Sequence, residues 1–167
     1  MLTRNQNPAL IGNMKTKKIG LTLAFCFLAG AACFAADPQM GAWKLNEAKS
    51  KITRGTAKNA VVTYQVIGNQ VKVTVDGTDA IGKPAHNEWT GRFDGKDYPV
   101  SGDSNSDVRS YKRLNNRTLE FAARKNRKVV VSGRVAVSAD GKSRTVTTSG
   151  TTSKGKTFKN TAVYDKQ

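Results

Sequence analysis

The sequence predicts an all-β protein: an antiparallel up-and-down meander of about 8–10 strands that closes into a barrel, preceded by a signal peptide. Three observations support this fold class. Apolar and polar residues alternate with a period of two over many short runs, as they do in half-buried strands. Residue pairs that favour tight turns separate these runs. Near the N-terminus, an uncharged stretch follows a short basic segment.

The N-terminal region has the three parts of a secretory signal peptide. Residues 14–18 are basic, and the uncharged stretch of residues 19–36 ends in small residues. Cys33 and Ala35 occupy the two positions at which a cleavage site requires small side chains. We therefore expect cleavage after Ala35 or Ala36, and a protein that is periplasmic or secreted.

Two alternatives to cleavage remain open. The uncharged stretch is borderline in length for an uncleaved membrane anchor. A lipoprotein acylated at Cys33 would need a Leu-like residue where Gly30 stands, so this alternative is disfavoured. Residues 1–13 add nothing to the leader pattern, and Met14 is a candidate start. Cleavage would remove residues 1–35 together with both cysteines, so we expect no disulfide in the exported protein.

The remaining chain, residues 36–167, is long enough for one domain and shows no long helical period. We predict strands at residues 41–46, 60–67, 70–77, 85–93, 96–100, 107–114, 117–125, 128–138, 143–150 and 156–165. Residues 47–59 lack a clear period and are predicted as a loop or one helical turn near Glu47. In the strand 128–138, the odd-numbered residues from Val129 to Val137 should share one face. Short turns make neighbouring strands antiparallel, so the sheet closes into a barrel or splits into a two-sheet sandwich.

An internal repeat supports a regular architecture. Residues 73–87 and 146–160 share Val, Thr, Gly, Thr, Gly, Lys and Asn at a constant offset of 73 positions. Each copy predicts a strand, a loop and a second strand. Two similar hairpins fit a pseudo-symmetric barrel and also a sandwich.

Residues 41–45, Gly-Ala-Trp-Lys-Leu, resemble the G-x-W-[KR]-L motif that opens the lipocalins and the cytoplasmic fatty-acid-binding proteins. The meander and the length of the exported domain fit the same group of calycin barrels. A typical lipocalin T-D-Y motif, a C-terminal helix and room for a two-helix lid are missing, so the chain resembles a minimal bacterial exported type. The resemblance implies that Trp43 closes the barrel floor, and we assign Arg144 as the arginine that packs on it.

Four residues are candidates for contact with a ligand inside the barrel. Strand alternation places Asn87 and Trp89 on an inner face, and Asn160 and Tyr164 on another. The two amides either orient the polar end of a ligand or bond to neighbouring backbone or water. Both interpretations remain open at this stage.

Catalytic and metal-binding patterns are weak. The chain has one histidine, His86, which we predict to face solvent beside Glu88. No phosphate-binding loop, nucleophile elbow or zinc-protease motif occurs. Residues 103–107 begin like a calcium loop, but Val108 and Leu114 stand where such a loop requires Gly and Glu. We therefore expect a protein that is not an enzyme and has no metal or cofactor.

The chain is strongly basic. It contains 28 Lys and Arg against 12 Asp and Glu, for a net charge of +16. The candidate residues for an anionic surface are Arg109, Lys112, Arg113, Arg124, Lys125, Arg127 and Lys128. Such density attracts nucleic acid, anionic lipid headgroups or acidic polysaccharide, or it forms only a solvated basic surface. Export and the scarcity of aromatic residues for base stacking disfavour nucleic acid.

The sequence thus leads to two main hypotheses. The first is a monomeric, exported, lipocalin-like protein that binds an apolar or amphiphilic small molecule inside the barrel. The alternative is a basic envelope-associated module that binds anionic surfaces or polysaccharide and has no internal ligand. A structural envelope protein or a loop-based inhibitor is a third alternative.

Overall fold

A computed structural model describes residues 37–152 and 154–167 of the chain. The predicted leader, its cleavage site, Met14 and Cys33 lie outside the described residues. The ten strands are β1 (Gly41–Lys51), β2 (Lys58–Ile67), β3 (Gln70–Thr78), β4 (Pro84–Gly91), β5 (Tyr98–Ser101), β6 (Val108–Asn115), β7 (Thr118–Lys125), β8 (Lys128–Val137), β9 (Ser143–Thr151) and β10 (Thr157–Lys166). Within these described ranges, no helix is long and apolar enough to cross a membrane.

The strands form one closed antiparallel barrel. Each strand pairs with its neighbours in sequence, and β1 pairs with β10 to close the sheet. Short connections between successive strands permit this antiparallel order, and closure leaves no unpaired sheet edge. The predicted all-β meander that closes into a barrel is confirmed, and the alternative of a two-sheet sandwich is wrong.

The first strand is longer than predicted. β1 continues to Lys51, so the helical turn considered near Glu47 does not form. A bulge between Asn46 and Lys51 permits this extension. The hydroxyl of Ser50 stabilises the bulge, because it donates to the Asn46 carbonyl at 2.6 Å and accepts from the Val163 amide at 2.9 Å.

A second bulge changes the direction of the Val129 side chain, which was predicted to point inward. Between β7 and β8, Ala123 pairs with Val131 and Arg124 pairs with Val129, so β8 has one extra residue at this point. Val129 is 54% exposed as a result. The prediction that Val129 shares the inner face with Val131 is wrong, because the bulge turns its side chain outward.

The two ends of the barrel differ. The lower end carries residues 37–40 and the connections that follow β2, β4, β6 and β8, and the upper end carries the connections that follow the odd-numbered strands β1 to β9. Large side chains fill the lower half. The buried apolar core consists of Trp43, Val62, Tyr64, Val73, Val75, Trp89, Tyr111, Leu119, Val135, Val137, Ala162 and Tyr164. Their burial supplies most of the stabilisation of the folded chain.

Two glycines lie beneath aromatic rings of the neighbouring strand. Gly133 pairs with Phe121, and Gly150 pairs with Phe158. A Cβ atom on Gly133 would lie 2.2 Å from the Thr147 carbonyl oxygen and 2.8 Å from Cε1 of Phe121. The missing side chains therefore allow a close backbone approach, and the rings cover the glycines.

The internal repeat is also a structural repeat. In the β3–β4 hairpin, the Asp79 amide donates to the Lys83 carbonyl at 2.9 Å. In the β9–β10 hairpin, the Thr152 amide donates to the Lys156 carbonyl at 2.8 Å. Gly82 in the first loop and Gly155 in the second have positive φ angles of 87° and 75°. The constant offset in sequence therefore corresponds to two hairpins that share this hydrogen bond and a glycine with positive φ.

Candidate functional site at the upper end of the barrel

Trp43 and Arg144 are buried in contact with each other near the lower end. Arg144 is 1% exposed, and its guanidinium carbon lies 4.8 Å from the centroid of the Trp43 ring. The contact predicted between these two residues is present. The same carbon lies 4.9 Å from the ring centroids of Tyr64 and Tyr164. Cation–π attraction to three rings offsets part of the cost of removing this cation from water.

The hydrogen-bonding groups of Trp89 and Tyr164 are already occupied. Trp89 is fully buried, and its Nε1 donates to the Arg109 carbonyl at 2.7 Å. The hydroxyl of Tyr164 donates to the Asn59 carbonyl at 3.1 Å, and burial raises its pKa to about 12. Both side chains therefore face inward, as predicted, but they stabilise the wall of the barrel.

Asn160 faces inward and holds a loop. Its Oδ1 accepts from the Thr53 amide at 2.8 Å, and its Nδ2 donates to Oγ1 of Thr56 at 3.1 Å. These bonds attach the connection after β1 to the start of β10. Of the two interpretations of this amide, the contacts favour the one in which it satisfies neighbouring polar groups.

Asn87 contacts an interior arginine. Nη2 of Arg109 donates to Oδ1 of Asn87 at 3.2 Å and to Oδ2 of Asp103 at 3.3 Å. Arg109 is only 9% exposed, so its assignment to an exposed basic surface is wrong. In β6 the side chains of Arg109 and Tyr111 share the inner face, and Ser110 points outward. The carboxylate of Asp103 compensates the buried charge.

The uppermost inward row combines small, apolar and charged residues. Direct cross-strand pairing runs from β6 to β10 through Arg109, Ala123, Val131, Gly150 and Phe158. Ala123 has only a methyl group, and Gly150 has no side chain, so the Phe158 ring lies directly over its backbone. Val131 and Phe158 face inward but are only half-buried, which indicates that solvent reaches them from the upper end. We call these five residues, together with Asn87 and Asp103, the mouth.

Three other residues of the predicted basic surface have acidic partners. Arg113 lies on the inner face near the lower end, where it pairs with Asp37. Arg124 bonds to Asp97 at 2.5 Å, and Lys125 bonds to Asp107 at 2.7 Å. The last members of the predicted set are Lys112, Arg127 and Lys128. These are exposed and have no carboxylate within 4.0 Å among the described residues.

His86 lies on the outer wall, as predicted. Its Nδ1 is 2.7 Å from Oδ1 of Asp76, and its Nε2 is 3.7 Å from Oε1 of Glu88. The hydrogen bond with Asp76 raises the pKa of His86. Residues 37–152 and 154–167 contain no group of three or more His, Cys, Asp or Glu side chains that could hold a metal ion.

Comparisons with known proteins return barrels of low similarity. No family model matches the chain, and no curated protein sequence matches it significantly. Among solved structures, EF1p2_mFAP2b bound to DFHBI aligns at 10% identity and a TM-score of 0.46, over 80% of this chain and 97% of that one. The redesigned barrel mFAP1 bound to DFHBI aligns at 14% identity and 0.41, over 77% and 95%. The redesigned barrel b11L5F_LGL aligns at 14% and 0.41, over 78% and 92%. These values are too low for a ligand or an activity to be inferred.

Proposed function

We propose that this chain is an exported, monomeric, lipocalin-like binding protein that is not an enzyme, and that its mouth takes an apolar or amphiphilic small molecule. The apolar part of the ligand would lie against Val131 and Phe158. Its polar end would reach Arg109 and Asn87. The signal-peptide pattern supports export, and the Trp43–Arg144 contact supports the lipocalin-like character.

One observation carries this proposal: at the upper end, Val131 and Phe158 face the interior and stay half-buried beside small residues. Val131 and Phe158 adjoin Ala123 and Gly150 in the paired row, whereas Val135 in the lower half is 2% exposed. Apolar surface that remains hydrated gains free energy when a ligand covers it. A mainly apolar wall with a few polar groups is the usual composition of a small-molecule site.

The row beneath the mouth offers an aromatic floor. Phe121 is half-buried and pairs directly with Tyr111. The rings of Tyr111 and Trp89 meet edge to face, with centroids 4.8 Å apart. A ligand that entered from above would therefore meet aromatic surface, which favours apolar or planar groups over strongly hydrated ones.

The chemistry of the mouth supports binding without catalysis. Its polar groups are an amide and an arginine–carboxylate ion pair, and none of these is a nucleophile activated by a base. His86, the natural general base, is exposed on the outer wall beside Asp76. The expectation of a non-enzymatic protein is therefore part of this proposal.

The test uses a variant that narrows the mouth without changing its charge. Ala123→Leu places a larger side chain beside Val131, and Ala136→Leu makes the same change at an exposed position of β8. Binding of the amphiphilic dye ANS is measured by fluorescence titration, with thermal melts to verify folding. We expect Ala123→Leu to weaken binding about tenfold through loss of buried apolar contact, and Ala136→Leu to bind like the parent protein. Equal dye affinity in all three proteins would contradict the proposal.

A second experiment tests export and the natural ligand together. The protein is recovered from the envelope of its own cells and weighed by native mass spectrometry. We expect a chain that starts at Ala36 or Asp37 and carries an additional small mass. An uncleaved chain would contradict export, and a cleaved chain of bare mass that also fails to bind ANS would contradict internal binding.

A further inference from the structure

The outer wall carries a groove that is separate from the mouth. The groove has a volume of about 610 Å³ and crosses β6 to β10. Its floor is a directly paired row of outward residues, namely Ser110, Ala122, Ser132, Ser149 and Lys159. Small side chains in the middle of this row, beside larger ones in the next row, explain why the surface is hollow there.

Basic side chains surround this floor. The paired row beside it contains Lys112, Glu120, Arg134, Thr147 and Thr161. Lys112, Arg134 and Lys159 are exposed, and none has a carboxylate within 4.0 Å in the described part of the chain. Arg124 also lines the groove, but Asp97 neutralises it. Among the described residues, Glu120 is the only acid that lines the groove, so the groove attracts anions.

The groove is formed by the fold and could not be read from a basic run in the sequence. Lys112, Arg134 and Lys159 come from β6, β8 and β10, and the pairing of these strands with β7 and β9 aligns them. The hydroxyls of Ser132, Thr147, Ser149 and Thr161 lie between these cations. None of these four hydroxyls makes a side-chain hydrogen bond within residues 37–152 and 154–167.

We propose that this groove binds an anionic carbohydrate chain. Acid groups of the chain would bond to Lys112, Arg134 and Lys159, which can make charge-assisted hydrogen bonds. Sugar hydroxyls would bond to the serines and threonines between them. Five strands at 4.7–4.9 Å spacing span roughly 19 Å, so the site suits several linked sugars better than a single one.

The composition of the lining disfavours single-stranded nucleic acid and lipid surfaces as partners. No aromatic side chain points outward into the groove, because Phe121 faces the barrel interior. Base stacking, which single-stranded nucleic acid needs, is therefore missing. In the described part of the chain, Ala122 is the one outward apolar side chain of the lining, so the groove offers little apolar surface for insertion between lipids.

The experiment compares two double variants of equal charge. Arg134→Ser/Lys159→Ser removes two cations from the groove, and Lys44→Ser/Lys128→Ser removes two exposed cations from outside it. The probes are a heparin oligosaccharide and a polygalacturonate oligomer, titrated calorimetrically at several salt concentrations. We expect the groove variant to bind both at least tenfold more weakly with a shallower salt dependence, and the control variant to lose less than about threefold.

A second pair of variants separates the shape of the groove from its charge. Ser149→Leu fills the floor, and Thr145→Leu makes a similar change on the same face of β9 outside the lining. We expect only Ser149→Leu to lose binding.

Equal losses in the two double variants, equal losses in this pair, or equally tight binding of single-stranded DNA would each overturn the proposal. Binding of anionic lipid vesicles that survives Ser149→Leu would show a diffuse basic surface in place of the groove. Tests of the mouth with ANS are independent, because none of these residues lies in it.

Discussion

The guanidinium of Arg144 packs against the aromatic rings of the lower core, with its carbon 4.8 Å from the ring centroid of Trp43. Arg144 is almost completely buried, and its Nε and Nη1 have no hydrogen-bond partner among the described residues. A buried arginine without a carboxylate is unusual. Here the faces of Trp43, Tyr64 and Tyr164 surround the cation, so aromatic contact replaces an ion pair.

This arrangement predicts that lysine is a poor substitute for Arg144. A lysine ammonium is more strongly hydrated and cannot stack on rings, so Arg144→Lys should lower the free energy of unfolding by about 3 kcal/mol. Arg144→Met keeps much of the volume and removes the buried charge, so we expect a smaller loss of about 1 kcal/mol. Urea denaturation of both variants measures which one loses more stability. A more stable lysine variant would show that positive charge alone is what the site requires.

Gly133 provides a second test of how the wall is built. Its absent side chain leaves room for the Thr147 carbonyl and the Phe121 ring. Gly133→Ala should therefore cost about 2–3 kcal/mol of stability, because backbone and ring must both shift. Gly68→Asn is the control, since Gly68 has a φ of 58° and open space around it, and asparagine tolerates that conformation. Unfolding curves that coincide for the two variants would contradict this account.

Much of the fold was predictable from local sequence. Period-two alternation located all ten strands, and turn pairs such as Gly68-Asn69 located their ends. The extension of β1 to Lys51 and the outward turn of Val129 were missed. Both result from bulges, and a bulge inserts a residue without leaving a compositional signal in a single sequence.

The candidate site was less predictable, because it depends on register between strands. Asn87, Trp89, Asn160 and Tyr164 were placed on the correct face by alternation alone. Arg109 was misplaced because basic residues occur on both faces of β6. One signal was available: Tyr111 has the same parity as Arg109, and a large aromatic residue marks the inner face. The pairing of Arg109 with Asp103 comes from the fold of a loop, which composition does not reveal.

The repeated hairpins predict that a residue of one loop can replace its equivalent in the other loop. Oδ1 of Asp79 accepts from the Lys83 amide at 2.9 Å, and Oγ1 of Thr152 accepts from the Lys156 amide at 3.2 Å. Thr152→Asp should be neutral or stabilising by about 0.5 kcal/mol, because a charged acceptor makes a stronger bond. Asp79→Ala should cost about 1 kcal/mol. Thermal melts measure both changes. A marked destabilisation by Thr152→Asp would show that the two loops differ in more than this acceptor.

His86 predicts the direction in which stability depends on pH. The bond to Asp76 raises its pKa in the folded protein above the ordinary value of 6.5. The protonated form is therefore favoured by folding, so this stabilisation is complete below the unfolded-state pKa and disappears as pH rises through the folded-state value. Glu88 affects stability in a separate, more acidic pH range. The bond to Lys72 lowers the pKa of Glu88, so its contribution to stability is lost only as pH falls.

We therefore expect the urea midpoint of the parent protein to decrease between about pH 6 and pH 8. His86→Gln should show a smaller decrease, and Asp76→Asn should resemble it, since each variant removes one partner of the bond. NMR titration of the imidazole provides a direct measurement, in which Asp76→Asn should lower the pKa of His86. If this pKa were unchanged by Asp76→Asn, the carboxylate would not be the cause of the shift.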